Sequence, residues 1–381
     1  MNILFISSMD YIIGGAAQHR HKNIFRELKN NNANVSLINL QDKKNLKLSI
    51  PHKNFPDVTS FLPWKIKLWL YFIPMLIKTL LAKEKTEIIV CLDRNFLIMG
   101  IAIFFAKLFG VRIFHEITEY PDVVVKNNIS GRLTILLFER IYIKRLNGLI
   151  VISRALIEYV KSKGNSNVFL LPSIVNIKTH HNTAESVNLE CINFTYMGSL
   201  SQEKDGVLDM IAAFNECKKQ ILDKKMVLNI YGGGIQKELT DIKQLIETLN
   251  IGEQVVLHGH TTKENIEKAL NQASALLHCR PLSRQAKGGF STKFTEYLIT
   301  GKPVITTITS DITRYCIDGQ NAFLVPPNDI DLFAKKMEYV VNNEVIIAEV
   351  GGRGKILAET YFDSGKRVAE LYLWLSGASQ I

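Results

Sequence analysis

Ser291, Thr292, Lys293 and Glu296 put two hydroxyls, an ammonium and a carboxylate within six residues. Gly288, Gly289 and Phe290 stand directly before them; Gly301 and Pro303 follow. Gly after a last turn and Pro soon afterwards are helix stop signals, so Ser291 to Thr300 reads as a helix. Its N-terminus presents unpaired backbone N–H groups and the positive end of the helix dipole. The preceding glycines let an anion come close to the backbone. This is chemistry for a phosphate or diphosphate. Hydroxyl and Lys293 add charge-assisted hydrogen bonds of roughly 1.5–3 kcal/mol each. Glu296, one turn further on, suits the hydroxyls of a ribose. The same residues also read as a plain capped helix, with Ser291 as N-cap and Glu296 as a surface charge.

Other segments place similar chemistry at strand ends. Tyr196 to Gly206 runs from a strand into Gly198 and Ser199, then a loop with Lys204, then a helix from about Val207. Tyr231-Gly232-Gly233-Gly234 and His258-Gly259-His260 also follow strands. Several glycine-bearing strand ends on one sheet edge make a ligand floor. None is a G-x-G-x-x-G opening a helix with an acidic residue about 20 later, which argues against a nicotinamide site. In the first half Gly14-Gly15 follows the first strand. His115-Glu116 ends another, with Glu119 in the loop beyond; a strand-end His beside carboxylates suits catalysis or acceptor binding.

The elements that position these residues alternate. Asn2–Ser7, Val35–Leu40, Glu87–Leu92, Arg112–His115 and Gly148–Ile152 read as buried strands, and Gln18–Asn30 and Arg132–Leu146 as helices between them. A polar stretch, 176–190, interrupts. A second series follows: Ile192–Met197, Val227–Tyr231, Val255–His258, Ala275–Cys279 and Pro303–Thr307. Strand–helix–strand alternation implies parallel sheets with right-handed crossovers. The chain is therefore expected to be α/β, with two doubly wound Rossmann-like domains facing each other across a cleft: 1–175, a linker 176–190, and 191–358. A C-terminal helix, 359–381, is expected to pack back on the first. Phe61–Lys85 mixes Trp64, Trp69, Tyr71 and Phe72 with five lysines. Lysines and Pro74 break it up too much to span a bilayer. It reads either as a helix lying in the headgroup region or as an amphipathic helix on the first sheet. Phe96–Ala106 reads as core.

With 381 residues, 47% hydrophobic and 22% charged, the chain is an ordinary globular protein of two or three domains. Cys91, Cys191, Cys217, Cys279 and Cys316 show no metal-knuckle or redox-pair spacing, which points to a reducing, cytoplasmic setting. Met1–Ser8 has no charged n-region, so no signal peptide is expected. The net charge of +10 is uneven: residues 1–185 hold 25 Lys and Arg against 13 Asp and Glu, and 186–381 hold 21 against 23. A basic front half favours an anionic partner. Without a helix-turn-helix, zinc finger or RNA-binding signature that partner is not nucleic acid; an anionic membrane is the alternative.

Taken together, these motifs resemble the retaining glycosyltransferases of family 4, with the GT-B fold, over nearly the whole chain. Gly14-Gly15 matches the family's first glycine loop. Gly198 with Lys204 and Gly206 matches the glycine and Lys-Gly pair of the second domain, with Asp205 intervening. Gly232 to Gly234 matches its Gly-x-Gly, Gly289 to Val304 its terminal signature, and Asp318 to Val325 a later strand motif. Two positions depart. The first of the family's paired glutamates is Gly288 here, as in a subgroup with Gly-Phe-Ser/Pro-Thr-Lys. The usual Arg after Gly198 is Ser199, a role Arg280, Arg284 or Lys293 could take. The resemblance implies a nucleoside-diphosphate sugar donor, held by Ser199, Lys204, Gly232, Gly233, His260, Gly289, Phe290, Ser291, Thr292, Lys293 and Glu296. Of these, Lys204 and the Ser291–Lys293 terminus take the diphosphate and Glu296 the ribose. Catalysis falls to His115, Lys204 and Glu296, by stabilising charge on the leaving diphosphate. Gly14, Gly15, His115, Glu116 and Glu119 face a glycan or lipid-linked acceptor. No metal or other cofactor is implied, and the setting is bacterial surface polysaccharide synthesis at the inner membrane face. A nucleotide-sugar epimerase of the same fold, or a non-catalytic partner subunit, are the alternatives.

Overall fold

The computed structural model describes residues 1–9, 11, 15–40, 48, 50–54, 63–92, 95–125, 127–179 and 191–378. The apolar runs become two parallel sheets. The first holds β1 (Asn2–Ser7), β2 (Asn34–Asn39), β3 (His52–Asn54), β4 (Ile88–Cys91), β5 (Arg112–Ile117), β6 (Gly148–Val151) and β7 (Val168–Leu170). Their order is β3-β2-β1-β4-β5-β6-β7. The second holds β8 (Cys191–Met197), β9 (Lys225–Tyr231), β10 (Val255–Gly259), β11 (Ala275–His278), β12 (Val304–Thr307) and β13 (Phe323–Val325), in the order β10-β9-β8-β11-β12-β13. Both are the doubly wound sheets expected. The strand order reverses between β1 and β4 and between β8 and β11. At such a reversal two successive connections leave in opposite directions, opening a crevice at the carboxyl ends of the strands.

The chain divides into two compact units, Met1–Ile174 with Ser364–Ile381, and Val175–Asp363. In the first, the helix Ala16–Asn30 lays Ile24, Phe25 and Leu28 on Phe5, Val35 and Leu37. The C-terminal helix Ser364–Ser376 adds Val368, Leu371 and Leu375. Its Trp374 packs on Phe114 and Phe169 with ring centroids 5.1 and 5.4 Å away, and its indole N–H donates to Asn167 Oδ1 at 3.1 Å. In the second unit, helices Val207–Gln220 and Ile330–Asn342 bring Met210, Phe214, Phe333 and Met337 onto Phe194, Leu228 and Leu277. Each such side chain contributes roughly 1.5–3 kcal/mol by leaving water. None of the five cysteines forms a disulfide among the described residues.

Two expectations change. The segment after 63 is not one regular helix: Trp64–Lys67 leads into a π-helical turn, Leu68–Phe72, and then Ile73–Leu80. Pro74 follows directly on the π-helical turn in a helix that runs on from Leu68, so the N–H it lacks and the room its ring needs fall at the widened turn. Phe96–Leu108 is also not purely core. It buries Phe96, Met99, Ala102 and Ala106 but exposes Leu97, Phe104 and Leu108. Among the described residues no helix is long and apolar enough to cross a membrane.

Candidate functional site

The second unit gathers its polar residues where β8 and β11 end. The loop after β8 passes through Gly198, Ser199 and Leu200 into the short helix Gln202–Asp205, and Gly206 then turns the chain with φ +63°. β11 ends at His278; Cys279 and Arg280 follow, then the short helices Arg284–Gly288 and Thr292–Leu298. Tyr297 fixes the second of these to β8: its hydroxyl donates to the Met197 carbonyl at 3.2 Å and accepts the Met197 N–H at 2.7 Å.

That helix carries Lys293 inward. Its Nζ lies 2.6 Å from Asp205 Oδ1 and donates to the Tyr196 hydroxyl at 2.9 Å, which itself donates to the Ser199 carbonyl at 2.5 Å. Burial pushes the Lys293 amine down to about 8, against the pull of Asp205. Asp205, the residue that intervenes in the Lys-Gly pair, is only 2% exposed. Lys204, its neighbour, is exposed, and its carbonyl accepts from Arg280 Nε at 3.3 Å. Arg280 is buried.

Ser291 occupies the N-cap position, but its hydroxyl makes no cap bond. It meets His278 Nε2 at 2.8 Å, and His278 Nδ1 meets Thr306 Oγ1 at 2.8 Å. Thr306 Oγ1 donates to the Thr307 carbonyl at 3.3 Å. One assignment satisfies all three bonds: His278 carries its proton on Nδ1, and Ser291 donates to Nε2. Burial, together with Arg280 and Lys293 nearby, holds the His278 pKa well below its usual value, so the ring is neutral at neutral pH. The Ser291 hydroxyl proton is therefore committed inward, and only its lone pairs are offered to a ligand. Glu296 is exposed. The surrounding protein pushes its carboxyl up to about 7, with Lys293 opposing, and water at the side chain screens part of that shift.

Beside this cluster lies an open cavity of 520 Å³, lined by Ser199, Ser201, Glu203, Lys204, Gly233, Gly234, Ile235, Glu238, His260 and Gln285. Of the residues expected at the donor, Ser199, Lys204, Gly233 and His260 line it. Lys293 and Ser291 lie instead in the adjoining hydrogen-bond cluster, with Thr292 between them at the first helical position. Gly289 and Phe290 are buried; Phe290 packs among Phe294, Tyr315 and Phe362. Gly232 follows β9, and its N–H donates to the Gly259 carbonyl at 2.8 Å. Its φ is +129°, and an added Cβ would stand 1.8 Å from the Gly198 carbonyl oxygen. Gly232→Ala is expected to cost about 2 kcal/mol or more from the backbone alone. Thermal unfolding checks this, and a loss under about 0.5 kcal/mol would contradict the geometry.

In the first unit, β5 sends His115 and Glu116 to opposite faces, as alternation requires. His115 Nδ1 donates to the Cys91 carbonyl at 2.8 Å, and the ring meets Phe138 edge-on. Glu116 faces the helix Ala16–Asn30, where Arg20 Nε lies at 2.9 Å and His21 Nε2 at 2.7 Å. His21 Nδ1 contacts the Tyr11 hydroxyl at 3.1 Å. Burial alone would raise Glu116; Arg20 and His21 outweigh it and hold the carboxyl at about 2. Gly15 precedes the helix, and Glu119 is half-buried in the bend after β5. Gly14 lies outside the described residues.

Sequence reasoning passed over Asp205, Tyr196, His278 and the Arg20–His21 pair. The signal for His278 was available: it is the one polar residue in a strand otherwise Ala-Leu-Leu. Among the described residues no three His, Cys, Asp or Glu side chains gather as metal ligands would. The chain's one Asp-x-Asp, Asp329-Ile330-Asp331, opens the helix Ile330–Asn342, where Asp329 Oδ1 accepts from the Leu332 N–H at 2.9 Å.

Residues 181–353 match the family model described as Glycosyl transferases group 1. A poly(ribitol-phosphate) alpha-N-acetylglucosaminyltransferase of Staphylococcus aureus (strain COL) is 25% identical over 213 residues, 55% of this chain and 40% of that protein. The chain thus matches well under half the length of this relative. Among solved structures, sucrose-phosphate synthase from Thermosynechococcus elongatus superposes with a TM-score of 0.78 at 17% identity, covering 99% of this chain and 100% of that one. Anabaena HepE in complex with UDP and glucose gives 0.76 at 15% identity, covering 99% and 100%. The second unit carries a glycosyltransferase group 1 domain, and the fold is GT-B.

Proposed function

We propose that this chain moves a sugar from a nucleoside-diphosphate donor to a glycan or lipid-linked acceptor, with retention of configuration and without a required metal. The observation that carries this reading is the cationic cluster at the β8–β11 reversal: Arg280 buried, Lys293 half-buried, Lys204 exposed at the cavity, all on the edge where a doubly wound sheet binds its ligand. Positive charge fixed in a partly dry site stabilises an anion that forms there without reorganising first, which is what a departing diphosphate demands. Lys204 and the Ser291–Lys293 turn hold the diphosphate, the turn through its backbone N–H groups and the Lys293 ammonium, since the Ser291 hydroxyl proton is given to His278. Glu296 takes the ribose. Gly233 and His260 border the cavity where the nucleoside fits. On the first unit, Gly14, Gly15, Glu119 and His115 serve the acceptor. His115 is oriented by its Nδ1–H, which donates to the Cys91 carbonyl. Glu116 supports this edge through its ion pairs.

The setting is bacterial surface polysaccharide synthesis on the cytoplasmic side, with the basic first unit drawn to the anionic inner membrane face. Thermal unfolding with a panel of nucleotides and nucleotide sugars tests the donor. A ligand at 100 times its Kd raises stability by about 2.7 kcal/mol. A diphosphate should stabilise more than its monophosphate. No response to any nucleotide defeats the reading in favour of a non-catalytic subunit. Donor turnover without an acceptor defeats it in favour of an epimerase.

A further inference from the structure

The first unit carries an apolar face that nothing described covers. The chain passes from β3 to β4, β4 to β5 and β5 to β6 in one direction across the sheet. Right-handed crossovers then set the intervening helices in a single layer. Inward, that layer buries Phe72, Leu76, Met99, Ala102 and Phe138. Outward, it exposes Trp69 (72%), Phe104 (62%), Leu108 (64%), Ile129 (88%) and Leu133 (56%). The outward residues recur at helical spacing: Leu97, Phe104 and Leu108 on one helix, Ile129, Leu133 and Leu136 on the next. The π-helical turn Leu68–Phe72 widens the outward arc, so the adjacent Trp69 and Leu70 both reach solvent.

The charges on this face have one sign. The segments Trp64–Leu80, Phe96–Leu108 and Ile129–Leu137 contain no Asp or Glu. Lys78, Lys107 and Arg132 are exposed on them. The nearest acid in the third helix, Glu139, is paired with Lys163 at 2.8 Å. Apolar stripes flanked by cations, on helices too short to span, suit a surface that lies at the headgroup boundary of an anionic bilayer. A second copy of the chain fits poorly, since a two-fold interface would set this cationic face against itself.

We propose that the outer face of the helices Ile73–Leu80, Phe96–Leu108 and Ile129–Leu137, with the turn Leu68–Phe72, docks the protein on anionic lipid. This rests on the membrane placement proposed above, not on the transfer reaction, and it extends that placement from residues 61–85 to two further helices.

Co-sedimentation with vesicles tests it, comparing phosphatidylglycerol–phosphatidylcholine mixtures with pure phosphatidylcholine at low salt. The wild-type chain is expected to bind the anionic vesicles and not the neutral ones. The double variant Phe104→Glu/Leu133→Glu should bind at least tenfold more weakly, with unchanged thermal unfolding because both side chains are exposed. Brominated lipid should quench the wild-type tryptophan emission. If the wild type binds and the double variant binds equally well, this face is wrong while the membrane placement survives. No binding by the wild type sinks both. If inorganic polyphosphate displaces both proteins from vesicles with the same potency, the face reads a soluble polyanion and the proposal fails. A wild-type dimer that the double variant converts to monomer, by light scattering, also overturns it.

Discussion

Lys293→Met is expected to cost about 3 kcal/mol of stability, the lower end of the range for removing one partner of a buried ion pair, because the Lys293 side chain is still 18% exposed while Asp205 is closed off. The methionine fills much of the same volume, so the loss comes from charge rather than packing. Asp205 is 2% exposed, and its Oδ2 has no hydrogen-bond partner among the described residues. With the ammonium gone, Oδ1 loses its 2.6 Å partner as well, and the carboxylate must be protonated or hydrated within the loop that follows β8. The Tyr196 hydroxyl loses a donor at the same time. Urea unfolding at pH 7 gives the number; a loss below about 1 kcal/mol would mean that water already reaches the pair. Asp205→Leu combined with Lys293→Met should recover part of the stability, because the two residues couple directly. Nucleotide binding should not recover with it. If affinity for a diphosphate returns in the double variant, Lys293 belongs to the scaffold of the loop and not to the donor site.

That separation between scaffold and site marks where the sequence stops being readable. The doubly wound fold is legible because buried parallel strands are apolar along their whole length, and runs such as Ile88–Cys91 or Gly148–Val151 have no other easy reading. β3 is missed because His52-Lys53-Asn54 is a three-residue polar edge strand, held by pairing with β2 rather than by burial. The π-helical turn Leu68–Phe72 escapes because a single extra residue per turn leaves no compositional trace. At the candidate site, spacing locates Ser291 and Lys293 at the helix start but not their partners. Asp205 looks like an interruption of a motif until the fold brings Lys293 to it across 88 positions of sequence. His115 and Glu116 look like a pair because they are adjacent, yet adjacency within a strand guarantees opposite faces. Partners are set by long-range packing, and a single sequence carries no record of it.

The Glu116 cluster gives the largest expected effect of acid. The ordinary carboxyl pKa is 4.5, and Glu116 is held at about 2 in the folded chain. A depressed carboxyl contributes stability that is complete above its unfolded pKa and disappears as the pH falls through its folded value. Two and a half pH units at 1.36 kcal/mol each make this roughly 3 kcal/mol, lost between about pH 4.5 and pH 2. Glu116→Gln should remove that contribution. The variant is expected to start lower at pH 6, and its stability should fall less steeply than the wild type's from pH 5 to pH 3 in urea unfolding. Parallel acid limbs would show that Glu116 titrates normally and that its neighbours are better hydrated than the geometry indicates. Arg20→Met should be worse than Glu116→Gln at neutral pH. It leaves Glu116 charged at 3% side-chain exposure, with only His21 to answer it. It also strips donors from the Leu171 carbonyl at 2.7 Å and the Pro172 carbonyl at 2.5 Å, the last stretch before the chain first leaves this unit after Ile174. A loss of about 3–5 kcal/mol follows. Arg20 thus ties the carboxyl end of β5 to the chain's exit from the unit, and an ionised Glu116 is what keeps that tie in place at neutral pH.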